Sequence, residues 1–372
     1  MFHLQCVEHT HGVGEWIAPE SECGFSAGSP PVLPSGHPPR PLPGMRGIGI
    51  QCDMLDFCYV RCKNSRDFYF FTGITSETFK ELYKFVGGDE VCDKLKYTKT
   101  DGTPRRARRS KLCPKDQLFV TLIRLRRGVP IKDLARLFRV STGFMSTTVY
   151  TWIRFLSLQL QALLDKMFVS AAAQDAHAKD QDPFANFPNL RVIIDCAELK
   201  IQKPFNFRMQ SNTWSAYKSD NTLKYLFGIS RSTGLSFVSR GCEGSMSDKQ
   251  VVMVSGFLDH LRPNDVVMCD RGFDIDSELN ARGVHIAIPA FLGNRTHFTA
   301  AEMRKSQDIA SKRIYVEMFI KKVKDFRILR GKIPNKLLPI MDDLVVVCSV
   351  LTQFDKPIIA AQNVIDMSDS DR

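Results

Sequence analysis

The sequence predicts an α/β protein: a mixed sheet flanked by helices, preceded by an all-α segment containing a helix-turn-helix. Three observations predict it. Three helical segments follow one another between residues 114 and 165. From residue 190 the pattern changes to apolar runs bounded by turn signals, LRVIIDCAEL, TLKYLFGIS and GLSFVSRG. Helix and strand then alternate and the chain ends in helices, the order of a layered α/β domain rather than of a bundle or a sandwich.

Residues 1–50 are rich in Gly, Pro and Ser, cannot pack a core, and are expected to be disordered. Residues 66–165 form the expected helical domain. Thr75 or Ser76 caps a helix through ETFKELYKFV, with Phe79, Leu82, Tyr83, Phe85 and Val86 as its apolar stripe. PKDQLFVTLIRLRRG opens with Pro114 and closes at Gly128, the usual asymmetry of helix ends. PIKDLARLFRV turns Ile131, Leu134, Ala135, Leu137 and Phe138 inward. A turn at Val140–Ser141 leads into TGFMSTTVYTWIRFLSLQLQALL. A short helix, a tight turn and a second helix opening on small polar residues is the helix-turn-helix pattern. Thr142, Gly143, Phe144, Ser146 and Thr147 are then expected to face the major groove, while Val149, Trp152 and Ile153 hold the helix to the body. An ordinary helical hairpin has the same local pattern.

Residues 166–189 read as a linker, polar over 170–187. The expected catalytic domain spans 190–357, with a tail over 358–372. Within it, KQVVMVSGFLDHL is helical, DVVMCD and ARGVHIAIP are strands, and AAEMRKSQDIASKRIYVEMFIKKVKDFRIL and LPIMDDLVVVCSVLTQF are helices.

The net charge of +11 is concentrated. Residues 93–140 carry 15 Lys/Arg against 4 Asp/Glu, and the rest of the chain carries 36 of each sign. A basic block on a neutral body suggests a polyanion-binding surface. Arg105, Arg106, Arg108, Arg109, Arg124, Arg126, Arg127, Arg136 and Arg139 are its candidate DNA contacts, because phosphate neutralisation supplies most non-specific affinity. Taken alone, RRARRSK (105–111) reads equally as a solvated linker or a nuclear import signal, and the expected location is the nucleus, with the cytoplasm as a second site. No run of about 18 or more uninterrupted apolar residues suggests a membrane span, and the N-terminus lacks the pattern of a secretory signal. The 11 cysteines are scattered as free thiols of an intracellular protein would be, and neither Cys52/Cys58/Cys62 nor Cys6 with His9 and His11 has the paired short spacing of a zinc site.

Three acids stand out. Asp195 ends the apolar run LRVIID, Asp270 ends VVMCD, and Glu317 lies in the helical stretch RIYVEMFIKKVK. A carboxylate at the end of an apolar strand is costly unless it is paired or binds a cation. Singly, each is better explained as a cap or an ion pair. Arg313, Glu317, Lys321 and Lys324 fall on one helical face, where the cations would hold phosphates and the acid an ion; an exposed salt-bridged helix has the same spacing. Asp248, ahead of an apolar helix that Ser245 or Ser247 would cap, is an auxiliary ligand candidate. Carboxylates converging from distant segments suit two divalent ions and phosphodiester chemistry, with Asp195, Asp270 and Glu317 catalytic and Mg²⁺ or Mn²⁺ as cofactor.

From about Phe68 to Pro357 the chain resembles eukaryotic DDE-superfamily transposases of the PIF/Harbinger type. The motifs that carry the resemblance are FTGITSETFKEL, DLARLFRVSTGFMSTTVYTWIRFL, VIIDCAELKIQKP, YKSDNTLKYLFGIS, GSMSDKQVV, VVMCDRGF and RIYVEMFIKKVKDFRIL. The resemblance implies an RNase H-like catalytic domain behind a helix-turn-helix, with the D-D-E triad on Asp195, Asp270 and Glu317. Its last motif is met by Arg313, Glu317 and Lys324, with Ala310 where relatives often have Tyr. It also implies DNA as partner, a homo-oligomer, and in some relatives a separate Myb-like DNA-binding partner. Two readings follow: an active DDE endonuclease or transposase, or a domesticated DNA-binding protein that no longer cuts.

Overall fold

The computed structural model describes residues 65–97, 103, 112–168, 170, 171, 174, 183–231, 234–290 and 297–354. The expected disorder of 1–50, the tail 358–372 and the arginines Arg105, Arg106, Arg108 and Arg109 lie outside the described residues.

Among the described residues, six helices come first: α1 (Ser65–Thr72), α2 (Ser76–Phe85), α3 (Gly88–Cys92), α4 (Pro114–Arg127), α5 (Ile131–Leu137) and α6 (Thr142–Met167). Local chemistry sets their ends. Thr75 caps α2 by accepting a hydrogen bond from the Thr78 amide at 3.2 Å. Pro114 opens α4, and Gly128 closes it with φ +66°, a left-handed conformation glycine adopts without strain. Ser141 caps α6, accepting from the Phe144 amide at 3.1 Å. The tight α5–α6 turn puts Arg139 at φ 52°.

The sheet follows. Its strands are β1 (Leu190–Lys200), β2 (Trp214–Ser215), β3 (Asp220–Ile229), β4 (Leu235–Val238), β5 (Cys242–Glu243), β6 (Val266–Met268) and β7 (His285–Ala287). The order is β2-β3-β1-β6-β7, with β4 and β5 also pairing with β3. β3 runs antiparallel to β1, whereas β6 and β7 run parallel to it. Helices α7 (Phe207–Thr213), α8 (Asp248–Val254), α9 (Asp276–Asn280), α10 (Ala300–Lys324) and α11 (Met341–Leu351) complete the fold.

Alternation along β1 divides two cores. Ile193, Ala197 and Leu199 face α10, packing with Val316, Phe319 and Ile320. Val192 and Ile194 face α8, packing with Val251, Val252 and Phe257. The first of these cores continues without a break into α4 and α6, where Trp152, Leu156 and Leu160 are fully buried. α11 packs on α6 and on β4, so the helix-turn-helix is built onto the sheet rather than strung from it. The stretch Asn335–Phe354 is long and apolar enough by composition to cross a membrane, but 67% of it is buried, as befits this core helix.

Three details differ from the sequence reading. Leu137 of α5 is exposed rather than inward, and so is Phe85 of α2, because each lies at a helix end past the packed turn. In the expected polar linker, Phe184 and Phe187 are buried, and the Phe184 ring lies 5.5 Å from that of Tyr315. Gln174 ties that stretch to the sheet, donating to the Arg191 carbonyl at 3.0 Å and accepting from the Arg231 amide at 2.8 Å.

Candidate active site

Asp195 lies in the middle of β1, on the face turned to α10. Since Ile193 pairs with Met268 across parallel strands, extending the register by two residues brings Asp195 beside Asp270. Asp270 stands just beyond the end of β6 and caps the short turn Arg271–Phe273, accepting from the Arg271 amide at 2.8 Å. The Arg271 guanidinium donates to the carbonyls of Pro289 (2.8 Å) and Ala290, pinning the loop after β7 to this corner.

α10 supplies the third acid. Its N-terminus is fixed by a capping box between Thr299 and Glu302. Arg313 lies between the two outer acids, 3.4 Å from Asp270 and 3.6 Å from Glu317. It is mostly buried, whereas both carboxylates are more than half exposed. The structure therefore links Asp195, Asp270 and Glu317 into one neighbourhood, through strand register for the first pair and through Arg313 for the second.

The electrostatics follow from burial. Desolvation pushes Asp195 up to about 6; a hydrogen bond from the Cys196 amide and the charge of Arg313 oppose that rise, and Glu317 and Asp248 add to it. Burial pushes the Lys324 ammonium down, and Lys218 does the same, while Asp195 and Glu198 pull it back. Lys324 thus sits near Asp195 as a partly desolvated cation. Lys321 is exposed on the same helix.

On the other face, Lys224 of β3 lies 3.0 Å from Asp248 and 3.9 Å from Glu198, and donates to the Met246 carbonyl at 2.7 Å. Thr222 donates to the second oxygen of Glu198 at 2.8 Å. Asp248 opens α8 behind Ser247, which caps that helix in a box with Gln250. Lys224 and Thr222 were not candidates on sequence; only the β1–β3 register, which sets Glu198 opposite Lys224, reveals them. Burial drives the nearby thiols up, Cys269 to about 12 and Cys196 further, so neither is a thiolate nucleophile at neutral pH.

Several predicted DNA contacts are placed otherwise. Arg124 turns inward and donates to the carbonyls of Gly128 and Val129 at 2.7 and 2.6 Å, closing the end of α4. The half-buried Arg126 and Arg127 lie over the rings of Phe326 and Phe70, at 5.4 and 3.8 Å. Thr147 is buried and donates to the Gly143 carbonyl at 2.8 Å, because it falls on the inner side of α6. Arg313 is engaged with two acids, which makes it a poor phosphate contact. Arg136, Arg139 and Thr142 are exposed and Ser146 is partly so, at the expected edge of α5 and the start of α6. Val149, Trp152 and Ile153 are buried as expected.

One acid thus lies at the middle of a central strand, a second just past the end of its parallel neighbour and a third on the covering helix. Residues 194–353 match the DDE superfamily endonuclease family. Residues 110–162 match the helix-turn-helix of DDE superfamily endonuclease, covering α4, α5 and most of α6. The fold is accordingly a helical region with a helix-turn-helix followed by the mixed, helix-flanked sheet of an RNase H-like DDE domain. A cryo-EM structure of a piggyBac transposase synaptic complex with hairpin DNA is similar at 10% identity and a TM-score of 0.37, over 77% of this chain and 74% of that one. No curated protein matches the chain.

A DDE domain implies divalent metal. The donor set fits in kind: carboxylate oxygens are the ligands Mg²⁺ and Mn²⁺ take. Asp195 is partly buried and its carboxyl is lifted to about 6 by desolvation, a rise that a nearby cation would oppose. Among the described residues no three His, Cys, Asp or Glu side chains stand close enough to hold an ion as they are. Arg313 supplies the positive charge between Asp270 and Glu317, whose carboxylates are more than half exposed.

Proposed function

We propose that the protein is a metal-dependent endonuclease or transposase of the PIF/Harbinger type that cuts and joins DNA phosphodiesters. The observation that carries this reading is the placement of Asp195 on β1 and of Asp270 just past the end of the parallel neighbour β6, with Arg313 joining Asp270 to Glu317 of the covering helix. In this reading Asp195, Asp270 and Glu317 hold two Mg²⁺ or Mn²⁺ ions, with Asp248 auxiliary to them. When bound, such ions activate a water or 3′-hydroxyl and stabilise the leaving oxygen. Lys321 and Lys324 neutralise the phosphates flanking the scissile bond. Arg313 is a positioning residue that keeps the two outer carboxylates together.

The helix-turn-helix lays the start of α6 against duplex DNA. Arg136 and Arg139 take phosphates, and Thr142 and Ser146 meet the groove. The basic block with Arg105, Arg106, Arg108 and Arg109 adds non-specific affinity and nuclear import. A homo-oligomer and a Myb-like DNA-binding partner complete the reading.

Nicking of plasmid DNA in Mg²⁺ or Mn²⁺, compared with Asp270→Ala, is the direct test. The reading expects cleavage only by the wild-type protein; equal activity in both removes the assignment. A second reading, a domesticated protein that binds DNA without cutting, is favoured by the Arg313 ion pairs, which give the acids a counter-ion without metal. It expects unchanged DNA binding in both proteins and no metal-dependent rise in melting temperature in either.

A further inference from the structure

The segment between β1 and β3 is unusual in what it exposes. Phe205 (93%), Phe207 (85%) and Tyr217 (82%) are almost fully solvent-accessible, and Met209 and Trp214 are about half so. Exposed large apolar side chains gathered in one stretch mark an interaction site. The backbone beneath them is firmly held. Asn206 caps α7, accepting from the Met209 amide at 3.2 Å. Asn221 of β3 donates to the Gln210 carbonyl at 2.8 Å and to the Thr213 hydroxyl at 2.9 Å. Ser245 donates to the Asn212 carbonyl at 2.7 Å, and Asn335 to that of Lys203 at 3.0 Å. Gly244 approaches the Thr213 carbonyl so closely that a Cβ there would lie 2.6 Å from it. Aromatic side chains are thus presented to solvent on a rigid mount.

Charge narrows the choice of partner. Residues 201–219 contain Lys203, Arg208 and Lys218 and no Asp or Glu. The Lys218 ammonium lies 3.9 Å from the centre of the Tyr217 ring. Lys218 also acts electrostatically on Lys324, which in turn feels Asp195. Aromatic faces interleaved with cations suit a polyanion that carries flat π surfaces, namely nucleic acid with unpaired bases. An apolar protein partner would not call for an acid-free rim, and paired DNA hides the faces of its bases.

We infer that Phe205, Phe207, Trp214 and Tyr217 form a stacking platform for unpaired bases of the DNA strand end whose phosphodiester lies at the acids. Lys203, Arg208 and Lys218 hold its backbone. The inference rests on the endonuclease reading for its substrate but not for its test, which needs no cleavage.

The test uses the full chain in EDTA. Binding is measured by anisotropy to a labelled single-stranded oligonucleotide, to a duplex with a short unpaired end, and to the matching blunt duplex. Trp214→Ala and Tyr217→Ala are each expected to weaken the first two by about tenfold, the usual worth of one stacked base, and to leave the blunt duplex within about twofold. Trp214→Phe is expected to restore most of the loss. Melting temperature is followed alongside, since a half-exposed Trp214 and a mostly exposed Tyr217 should be removable without unfolding. Unchanged binding of the unpaired substrates overturns the inference, as does equal weakening on blunt duplex. A fall in oligomeric mass for either variant in sedimentation also overturns it, by assigning the patch to an interface between copies. Loss of metal-dependent nicking in the wild type, with the stacking signature intact, would instead remove the endonuclease reading alone.

Discussion

Asp195 carries an energetic cost that its position explains. Burial lifts its carboxyl to about 6, above the ordinary value near 4 that it takes in the unfolded chain. For an acid, a raised folded-state value means that stability falls as pH rises from about 4 to 6 and stays lower above that. Asp195→Asn should therefore raise the stability of the metal-free protein by about 1–3 kcal/mol at pH 7.5, at about 1.4 kcal/mol per unit, and by little at pH 4. Thermal unfolding in EDTA at the two pH values checks this; a variant no more stable than wild type at pH 7.5 refutes it. On the proposed metal-binding role, Mn²⁺ should raise the melting temperature of the wild type but not of this variant, since a ligand stabilises only the state that binds it. The acid was legible in the sequence because it closes an apolar run, where a carboxylate is costly unless it is paired or binds a cation. Its partners across the sheet were not: Lys224 and Thr222 meet Glu198 through strand register, which depends on a segment more than 20 residues away.

At the scale of elements, α4, α5 and α6 separate two kinds of arginine that look alike in sequence. Arg124 satisfies the carbonyls of Gly128 and Val129 at the end of α4, where a cation also favours the helix dipole. Arg124→Ala should cost about 1.5–3 kcal/mol, as loss of hydrogen bonds from a charged donor does, with DNA affinity of the folded fraction unchanged. Arg136 and Arg139 are exposed, so Arg136→Ala or Arg139→Ala should leave stability within about 0.5 kcal/mol. Each should weaken DNA binding and lower the slope of log affinity against log salt by about 1. Denaturant titration together with salt-dependent anisotropy distinguishes the two classes; an Arg124 variant of normal stability and weak DNA binding would reverse the assignment. Helix order, caps and the Gly128 stop could be read from periodicity and end signals. Which side of α6 Thr147 faces could not, because the helix is apolar around much of its girth and only the packing of α4 and α11 against it chooses the inner face.

Over the whole molecule, one core joins the DNA-binding helices to the sheet. The sequence pattern separates them by a polar stretch, yet Phe184 packs on Tyr315 of α10, and α11 lies against both α6 and β4. That arrangement was hidden because α11 is apolar on nearly all sides beyond Asp342 and Asp343, and such a helix reads only as buried, not as buried against what. The consequence is mechanical coupling: α6 cannot loosen without exposing the side of α11 that also supports β4. Leu344 is fully buried on α11, so Leu344→Ala should cost about 2–5 kcal/mol. In native-state hydrogen exchange the amides of α6 and of β3 should lose protection together, as members of one cooperative unit. If the helix-turn-helix were an independent bead, the variant would speed exchange in the sheet and leave α6 as protected as before. A common loss means instead that DNA held by α5 and α6 is fixed in orientation to the carboxylates 195, 270 and 317, because the same packed helix positions both.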